Sequence, residues 1–460
     1  MKQESKKTLL FRGGKIVLPD RVLDGDLAVE GEQISAILER NSLFCPRDCQ
    51  IVDVSGMLLF PGLIDPHVHM WDPSPFNYRE DWFHGSRCAA SGGITTIIDM
   101  PLSVPPAADP ESLRQKLLIA QKNSCVDFSF WGGLIPSCLD QLEKMNDSGC
   151  VAYKGFMSFA NPKYPQITDG YLAEGMKIAA RFDGLIGLHA ENAEVAEFGS
   201  RRMADSGETD PARHDEARPW WAELEAIQRA CLFSKALGNR LYICHMTIAQ
   251  GADYLKKSKS EGLPVFVETC PHYLIFDKTI LREKGAYAKC NPPFRSRENV
   301  EKLWEAVFDG TIDTIGSDHG PYLDQEKEQE GNFFKELCGF GGFDAMFPAL
   351  LTEGLHKRGL KPERLAQLLS GNAAKIMGLF PQKGSLLPGA DADLVIVDPA
   401  KEWVYDNTRS FSKTPSKHNI YHGMHMKGKV KRTYVRGTCI FCDDSVAGKA
   451  GYGRYIPKKI

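Results

Sequence analysis

The sequence predicts an α/β protein: a (β/α)8 TIM barrel joined to a small β-sandwich domain that both chain ends build. Three observations predict this fold. Between residues 61 and 384, short apolar runs alternate with longer helix-like stretches, as in repeated strand–helix units. Residues 1–60 and 385–460 carry short apolar runs near period two, broken by Gly, Pro and Asp. No Gly-rich phosphate turn occurs early, which disfavours the alternative, an open doubly wound sheet.

The elements follow from these patterns in chain order. The first β-domain segment contains TLLFRGGKIVLPD, DLAVEGEQISAILE and QIVDVSGMLLF. Barrel strands are expected within FPGLIDPHVH, GITTIIDM, VDFSFWGGLIP, CVAYKGFMSF, LIGLHAEN, RLYICHMT, PVFVETCPHYL and TIDTIGSDHG. The β-domain then resumes with SLLPGADADLVIVD and MKGKVKRTYVRGTCIF. The final GKAGYGRYIPKKI is basic and Gly-rich, and we expect it to be either a mobile tail or an arm that reaches a neighbour.

Composition excludes several classes of protein. The 460 residues are 43% hydrophobic and 25% charged, with a net charge of −3 and no block of like charge, which argues against a nucleic-acid-binding surface. The start has no apolar signal region and no run is long enough to span a bilayer. Thirteen scattered cysteines suit reduced thiols. We therefore expect a cytoplasmic protein with no nucleic-acid or membrane partner.

A histidine pair ends the first predicted barrel strand. His67 and His69 follow the apolar run that leads into FPGLIDP. In a strand, positions i and i+2 point to the same face, so the two imidazoles would project together as a ligand pair for Zn²⁺ or a similar metal. Taken alone, the pair also suits a surface loop.

Other polar side chains end further predicted strands. Lys154 follows CVAY, His189 follows LIGL, His245 follows LYIC, and Asp318 follows IDTIGS. Barrel enzymes place their chemistry at the carboxyl ends of the strands. A single histidine at such a position is usually a core residue, but this set together predicts a metal site.

Counting ligands gives two metal positions. His67, His69 and Asp318 can hold one ion, and His189 with His245 can hold a second. Two ions 3.5–4 Å apart need a bridging anion. A protonated lysine cannot ligate, whereas a lysine carboxylated by CO2 offers two oxygens. Residue type alone favours an ion pair for Lys154.

The ordered motifs PGLIDPHVH, GGITTIIDMP, VAYKGFMS, LHAEN, ICHMT, VETCPHYL, KCNPPFR, TIGSDHGP and KGSLLPGADADLVIVD resemble those of the cyclic amidohydrolases: dihydropyrimidinases or hydantoinases, dihydroorotases and allantoinases. The resemblance covers nearly the whole chain. It implies two divalent metals, Zn²⁺ first with Mn²⁺ or Co²⁺ as alternatives. Their ligands would be His67, His69, N6-carboxylated Lys154, His189, His245 and Asp318. It also implies a homotetramer.

Several segments are most similar to allantoinases, among them IIDMPLS, FWGGLIP and AKCNPPFR. Hydantoinases carry a tyrosine five residues after the carboxylated lysine, where this chain has Phe159. Two segments depart from the allantoinase pattern: the loop from Asp72 to Arg79, which lacks Gly-Arg-Thr, and ELCGFGGFDAMF. Both are expected to line the substrate pocket.

The resemblance implies hydrolysis of a ring amide, with allantoin opened to allantoate. Asp318 would take the proton of the attacking water and give it to the leaving nitrogen. Asn291, Ser317, Phe159 and the turn that contains Gly341 are the expected substrate contacts. The alternatives are a hydantoinase or dihydropyrimidinase acting on another hydantoin or cyclic imide, and a non-catalytic scaffold of the same fold.

Overall fold

Strands occupy both chain ends and alternate with helices between them. The computed structural model describes residues 8–40, 42, 49–159, 163–329 and 331–458. The strands of the first end and the barrel are β1 (Thr8–Val17), β2 (Val22–Glu30), β3 (Gln33–Glu39), β4 (Gln50–Asp53), β5 (Leu58–Pro61), β6 (Leu63–Val68), β7 (Ile94–Asp99), β8 (Asp127–Gly133), β9 (Ala152–Phe156), β10 (Leu185–His189), β11 (Arg240–Ile243), β12 (Val265–Thr269) and β13 (Thr314–Ile315). The strands of the second end are β14 (Leu394–Val404), β15 (His425–Val435), β16 (Thr438–Cys442) and β17 (Ser445–Val446).

The helices lie between the barrel strands and after the last of them. They are α1 (Trp82–Ser91), α2 (Pro110–Asn123), α3 (Leu142–Asp147), α4 (Asp169–Ala180), α5 (Ala193–Asp205), α6 (His214–Ala217), α7 (Trp220–Leu237), α8 (Ala249–Ser260), α9 (Pro271–Ile275), α10 (Ile280–Lys284), α11 (Arg297–Phe308), α12 (Phe343–Leu350), α13 (Pro362–Ala366) and α14 (Asn372–Ile376). Leu351–Lys357 and Gln367–Gly371 form π-helical turns. Short 3-10 turns are Pro136–Gln141, Pro211–Arg213, Gly285–Ala288, Asp324–Glu326, Phe333–Lys335 and Asn407–Arg409. No helix within the described ranges is both long and apolar enough to cross a membrane.

The predicted barrel is confirmed. Strands β6 to β13 form an eight-stranded sheet in chain order, and each neighbouring pair is parallel. The sheet closes where Val68 bridges His319 and the N–H of His69 donates to the carbonyl of His319 at 2.8 Å. Every residue of β6 to β10 is buried, as expected for parallel strands covered by helices.

The prediction that both chain ends build one β-domain is confirmed. Its strands form a single nine-stranded sheet. Its order is β17-β16-β15-β14-β5-β1-β2-β3, with β4 paired to β1. Strand β5 joins the two halves, because Leu58 pairs with Lys15 of β1 and Phe60 pairs with Val395 of β14. The sheet has its own buried apolar cluster, which includes Phe11. The domain boundaries at 60/61 and 384/385 stay predictions.

A buried lysine ties this β-domain to the barrel. The Lys383 Nζ lies 2.5 Å from Asp127, 2.9 Å from Asp391 and 2.8 Å from Asp393. Asp127 begins β8, and it also pairs with Arg436. The Lys383 and Asp127 side chains are almost inaccessible to solvent. This buried group of charges therefore links the β-domain to the barrel.

The C-terminal segment packs against this chain's own barrel. The N–H of Phe128 donates to the carbonyl of Arg454 at 3.0 Å, and the N–H of Ile456 donates to the carbonyl of Phe128 at 2.8 Å. Phe128 lies at the start of β8, so the segment covers the amino ends of the strands, opposite the predicted site. Up to residue 458, the C-terminal segment therefore lies against the amino-terminal end of the barrel of its own chain.

Candidate metal centre

The six predicted metal ligands lie at the carboxyl ends of barrel strands. His67 lies in β6, Lys154 in β9 and His189 at the end of β10, while His69, His245 and Asp318 follow β6, β11 and β13 within three residues. His67, Lys154, His189 and His245 are at most 5% exposed. The barrel therefore places all six residues at the same end of the sheet, which is the end where TIM-barrel enzymes have their active sites.

His67, His69 and Asp318 form one candidate metal position. The Oδ1 atom of Asp318 lies 3.3 Å from the Nε2 of His67 and 3.1 Å from the Nε2 of His69. One ligand atom from each residue lies within 4.8 Å of the others. Two imidazole nitrogens and a carboxylate oxygen are a donor set that suits Zn²⁺.

His189 and His245 form the second. The Nδ1 of His189 lies 3.1 Å from the Nε2 of His245, and the rings of His67 and His245 have centroids 5.1 Å apart. Two ring nitrogens that face one another at this distance can share a proton or a cation. The short distance between the rings of His67 and His245 places this second pair next to the first cluster.

Lys154 is a buried amine among these ligands. Its side chain is inaccessible to solvent, and its Nζ has no hydrogen-bond partner among the described residues. Its contact is the face of the Phe156 ring, 4.9 Å from the nitrogen, and its charge acts on His67, His189 and His245. An unpaired buried ammonium is costly, so this position fits a lysine that is modified or held against a ligand.

The pKa values of the cluster follow from burial and from the charged groups that the residues place beside one another. Burial lowers the pKa of His69 to about 4 and that of His245 well below its usual value, so both are neutral and able to ligate. Burial acts most strongly against a proton on His67, but the charges of Glu268 and Asp318 and a hydrogen bond with Cys244 together raise the His67 pKa to about 10. Burial alone would raise the pKa of Asp318, whereas the charge of His67 and the hydrogen bond with His69 lower it well below its usual range.

Glu268 is a site residue that the sequence motifs did not reveal. It lies in β12, is fully buried, and its Oε1 accepts hydrogen bonds from the Nδ1–H of His67 at 2.6 Å and the backbone N–H of His245 at 2.9 Å. Its Oε2 accepts from the hydroxyl of Tyr242 at 2.8 Å. A carboxylate behind a ligating histidine fixes the tautomer and the ring orientation. The signal was an acidic residue inside the apolar run VFVET.

Glu191 supports the second pair in the same way. Its Oε2 lies 2.6 Å from the Nε2 of His189 and 2.5 Å from the Nη2 of Arg218. Burial works against the charged carboxylate, but Arg218 and His189 together hold the pKa of Glu191 far below its usual value. Its position two residues after His189 was a signal that the sequence offered.

The predicted substrate contacts differ in their hydrogen-bond partners and in their exposure. Ser317 directly precedes Asp318; its N–H donates to Asp65 at 3.0 Å and its hydroxyl accepts from the N–H of His319. The Oδ1 of Asn291 lies 2.9 Å from the Nε2 of His214, and the carbonyl of Gly341 accepts from Asn419 at 2.9 Å. Phe159 is 55% exposed. Their contact with substrate stays a prediction.

The loop after His69 is fastened beside the first cluster. The guanidinium of Arg79 lies 4.4 Å from the ring centroids of both Phe76 and Tyr322 and 4.9 Å from that of Trp71, and its Nη2 lies 2.7 Å from Glu326. We call these five residues the mouth clamp. The Trp71 indole N–H also donates to the carbonyl of Pro321 at 3.1 Å. The clamp therefore joins the chain after His69 to the chain after Asp318.

Comparison with known sequences gives relatives over the full length. The chain is 35% identical to the allantoinase of Solibacter usitatus over 454 residues, 98% of this chain and 97% of the relative. It is 38% identical to the allantoinase of Rubrobacter xylanophilus over 445 residues, 96% and 95% of the two chains. It is 32% identical to the L-hydantoinase of Paenarthrobacter aurescens over 453 residues, 98% of each chain.

Solved structures agree with these relatives. The L-hydantoinase (dihydropyrimidinase) from Arthrobacter aurescens has a TM-score of 0.94 at 32% identity, covering 98% of this chain and all of that one. The dihydropyrimidinase from Brevibacillus agri has a TM-score of 0.91 at 29% identity, covering 98% of each chain. Residues 58–440 match the amidohydrolase family, which confirms the resemblance that the motifs indicated. This chain belongs to the amidohydrolase family.

Proposed function

We propose that this amidohydrolase opens a cyclic amide with two divalent metal ions, and that its substrate is allantoin, converted to allantoate in purine (ureide) catabolism. The observation that carries the proposal is the convergence of four buried or nearly buried histidines, Asp318 and the unpaired Lys154 at one end of the barrel. The full-length allantoinase relatives support allantoin as the substrate.

His67, His69 and Asp318 would hold one metal, and His189 with His245 the second. A carboxylated Lys154 would bridge them through its two carbamate oxygens, with CO2 as the source of the added group. Zn²⁺ is the first choice for this donor set, and Mn²⁺ or Co²⁺ suit it as well. When bound, such ions polarise a carbonyl and lower the pKa of water to about 7.

Asp318 is the proton carrier of this proposal. Its carboxylate lies within 3.3 Å of both His67 and His69, and its lowered pKa keeps it charged. It can therefore accept the proton of the attacking water on one oxygen and deliver it to the ring nitrogen that leaves. Glu268 holds the His67 ring in place during that transfer.

A second candidate is a hydantoinase that acts on hydantoins with an apolar substituent. The mouth clamp favours it, because Arg79 is engaged by Glu326 and by aromatic rings and is not free to bind a polar substituent. This leaves Trp71, Phe76 and Tyr322 as an aromatic wall beside the first cluster. The L-hydantoinase relative and its similar structure support this alternative.

A substrate panel tests the two candidates. The enzyme would be purified with bicarbonate and Zn²⁺ or Mn²⁺ and assayed with allantoin, hydantoin, 5-benzylhydantoin and dihydrouracil, using Asp318→Asn as the blank. Turnover of allantoin that the blank lacks supports the leading proposal. Turnover of 5-benzylhydantoin without allantoin supports the second. Two bound metals with no turnover of any of the four would reject both, and the absence of bound metal would favour a non-catalytic scaffold.

We also propose that the enzyme is a cytoplasmic homotetramer. The support is the resemblance to cyclic amidohydrolases. Light scattering coupled to size-exclusion chromatography tests the assembly. A mass close to that of one 51.2 kDa chain would reject it.

A further inference from the structure

Asp318, the proton carrier of the proposed function, has a strained backbone. Its φ of 51° lies in the left-handed region, which is unfavourable for residues that carry a Cβ atom. Such a conformation persists where the surrounding structure imposes it. The contacts that fasten the chain beside Asp318 therefore control the direction in which its carboxylate points.

Backbone hydrogen bonds fasten the chain on both sides of Asp318 to β6 and to the residue that follows this strand. The N–H of Ser317 donates to the Oδ1 of Asp65 at 3.0 Å. The N–H of His69 donates to the carbonyl of His319 at 2.8 Å. The main chain is thus held against the first barrel strand, and the side chain of His319 is held by other parts of the molecule.

The imidazole of His319 is fully buried and contacts two further elements. Its ring stacks on that of Phe343 at the start of α12, with centroids 3.8 Å apart and an interplanar angle of 15°. Its Nδ1 accepts from the N–H of Gly342 at 3.1 Å, and its Nε2 lies 3.1 Å from the Oε2 of Glu80. Because Nδ1 accepts a hydrogen bond, the ring proton is on Nε2 and is donated to Glu80.

Glu80 is in turn held by the second end of the chain. Its side chain is fully buried. The hydroxyl of Ser412 donates to its Oε2 at 2.5 Å, and the N–H of Lys413 donates to its Oε1 at 3.1 Å. Both residues lie between β14 and β15. The Glu80 carboxylate therefore joins this part of the β-domain to the residue that directly follows Asp318.

We propose that His319 is a positioning residue that holds Asp318 in its left-handed conformation, with Glu80 as its anchor. The terminal β-domain thereby contributes to the metal centre. This inference rests on the proposed function, because it takes Asp318 to be a metal ligand and proton carrier. Without the anchor, the backbone would relax, and the carboxylate would move from its position within 3.3 Å of the two histidines of the first candidate metal position. Metal affinity and kcat would fall, and KM would change less.

Two substitutions of His319 separate its two side-chain hydrogen bonds. His319→Gln places an amide N–H near the position of the Nε2–H and keeps the bond to Glu80. His319→Asn is shorter and keeps only an acceptor for the N–H of Gly342. If Glu80 is the anchor, the Gln variant should rescue the function that the Asn variant loses.

A second pair of variants tests the contribution of the β-domain. Ser412→Ala removes one of the hydrogen bonds that hold Glu80. Thr433→Val is the matched control, because the Thr433 hydroxyl is also buried and donates to the carbonyl of Ala90 at 2.8 Å. That bond likewise joins the β-domain to the barrel, but it does not touch Glu80.

The measurements do not depend on turnover alone. Each variant is loaded with Co²⁺, whose visible absorption spectrum reports the geometry of its ligands, and chelator competition gives the affinity of each metal site. The values of kcat and KM are measured with the panel compound that turns over. Tm reports the stability of the fold, which a merely structural role of His319 would change without altering the Co²⁺ spectrum.

We expect His319→Asn to alter the Co²⁺ spectrum and to lower both kcat and the affinity of the first metal position about tenfold, the lower end of the range for residues that orient a metal ligand. His319→Gln should stay within about threefold of wild type, because it loses only a neutral hydrogen bond. Ser412→Ala should lower the same quantities about threefold, and Thr433→Val should lower Tm alone.

Three results would overturn the inference. The first is a His319→Asn variant with the spectrum and kcat of wild type. The second is a loss in His319→Gln that His319→Asn does not show, because the anchor would then be Gly342. The third is a Ser412→Ala variant that matches Thr433→Val in spectrum and kcat, and this comparison stands even if the His319 variants do not fold.

The inference and the proposed function fail in different ways. An altered Co²⁺ spectrum in His319→Asn, in an enzyme that turns over none of the panel, supports the anchor and rejects the proposed function. Turnover of allantoin by His319→Asn at the rate of wild type supports the function and rejects the anchor. A wild-type enzyme that binds no metal overturns both.

Discussion

Replacing Glu268 by Gln should weaken metal binding without unfolding the protein. One oxygen of the Glu268 carboxylate accepts hydrogen bonds from the Nδ1–H of His67 at 2.6 Å and from the backbone N–H of His245 at 2.9 Å. In the Gln variant, the carbonyl oxygen can keep both bonds. The new amide group would face Tyr242, whose hydroxyl has a second partner in Thr314 at 2.6 Å. The substitution therefore removes the charge and keeps most of the hydrogen bonds.

The expected loss of metal affinity can be estimated from the hydrogen bond between Glu268 and His67. Hydrogen bonds to charged groups contribute about 1.5–3 kcal/mol and neutral ones about 0.5–1.5 kcal/mol, so the variant should lose about 1–1.5 kcal/mol of support for the ligating ring. This corresponds to about a tenfold weaker affinity at the metal position that contains His67. It is the lower end of the 10–100-fold range typical of residues that orient a metal ligand.

The assay is a chelator competition that gives the affinity of each of the two metal sites, with Tm measured in parallel. Glu223→Gln is the control. Glu223 is as deeply buried as Glu268, accepts hydrogen bonds from the N–H and hydroxyl of Thr247 and pairs with Arg295 at 2.9 Å. Since it does not touch the predicted ligands, its loss should lower Tm but not metal affinity.

Equal metal affinity in wild type and Glu268→Gln would refute the reasoning. It would mean that the ring of His67 is held by packing and not by the carboxylate. A loss of affinity of the same size in both Gln variants would also refute it, because the effect would then come from removing any buried charge near the strand ends.

Three further predictions concern other parts of the molecule. Lys154→Met should reduce bound metal from two ions to about one per chain and abolish turnover, because the bridging carbamate cannot form. Elemental analysis measures the metal content, and two tightly bound ions in this variant would count against a bridge. Arg79→Lys should alter KM by several-fold with little change in kcat, since lysine cannot reproduce the stacked and forked contacts of the mouth clamp; steady-state kinetics on the identified substrate decide it. Lys383→Met should lower the free energy of unfolding by about 3 kcal/mol, because the buried Asp127, Asp391 and Asp393 lose the cation that they share and only Asp127 keeps a second cation, Arg436. Denaturation measures this loss, and a metal content below wild type would show that the damage reaches the site.

Most of the fold could be predicted from local patterns. Apolar runs separated by helix-like stretches gave the eight barrel strands, because strands buried on both faces are continuously apolar and their helices are amphipathic. The shared terminal sheet followed from the β-like pattern at both ends. The course of the last segment did not follow, because the pairing of Ile456 with Phe128 spans most of the chain.

The candidate ligands were visible because each lies at the polar end of an apolar run. His67 and His69 needed only the two-residue repeat of a strand to be placed together. Their approach to Asp318, 249 positions after His69, depended on barrel closure, which the motif resemblance implied and the hydrogen bonds at Val68–His69 show.

The sequence by itself therefore determined the strand and helix order, the family motifs and the residue types available for metal binding. Only the tertiary structure decided which buried groups meet. The Glu268–His67 hydrogen bond joins residues 201 positions apart, and the Arg79–Glu326 ion pair of the mouth clamp joins two loops that lie far apart in the chain. Such contacts depend on angles and distances between elements, and short-range periodicity carries no information about them.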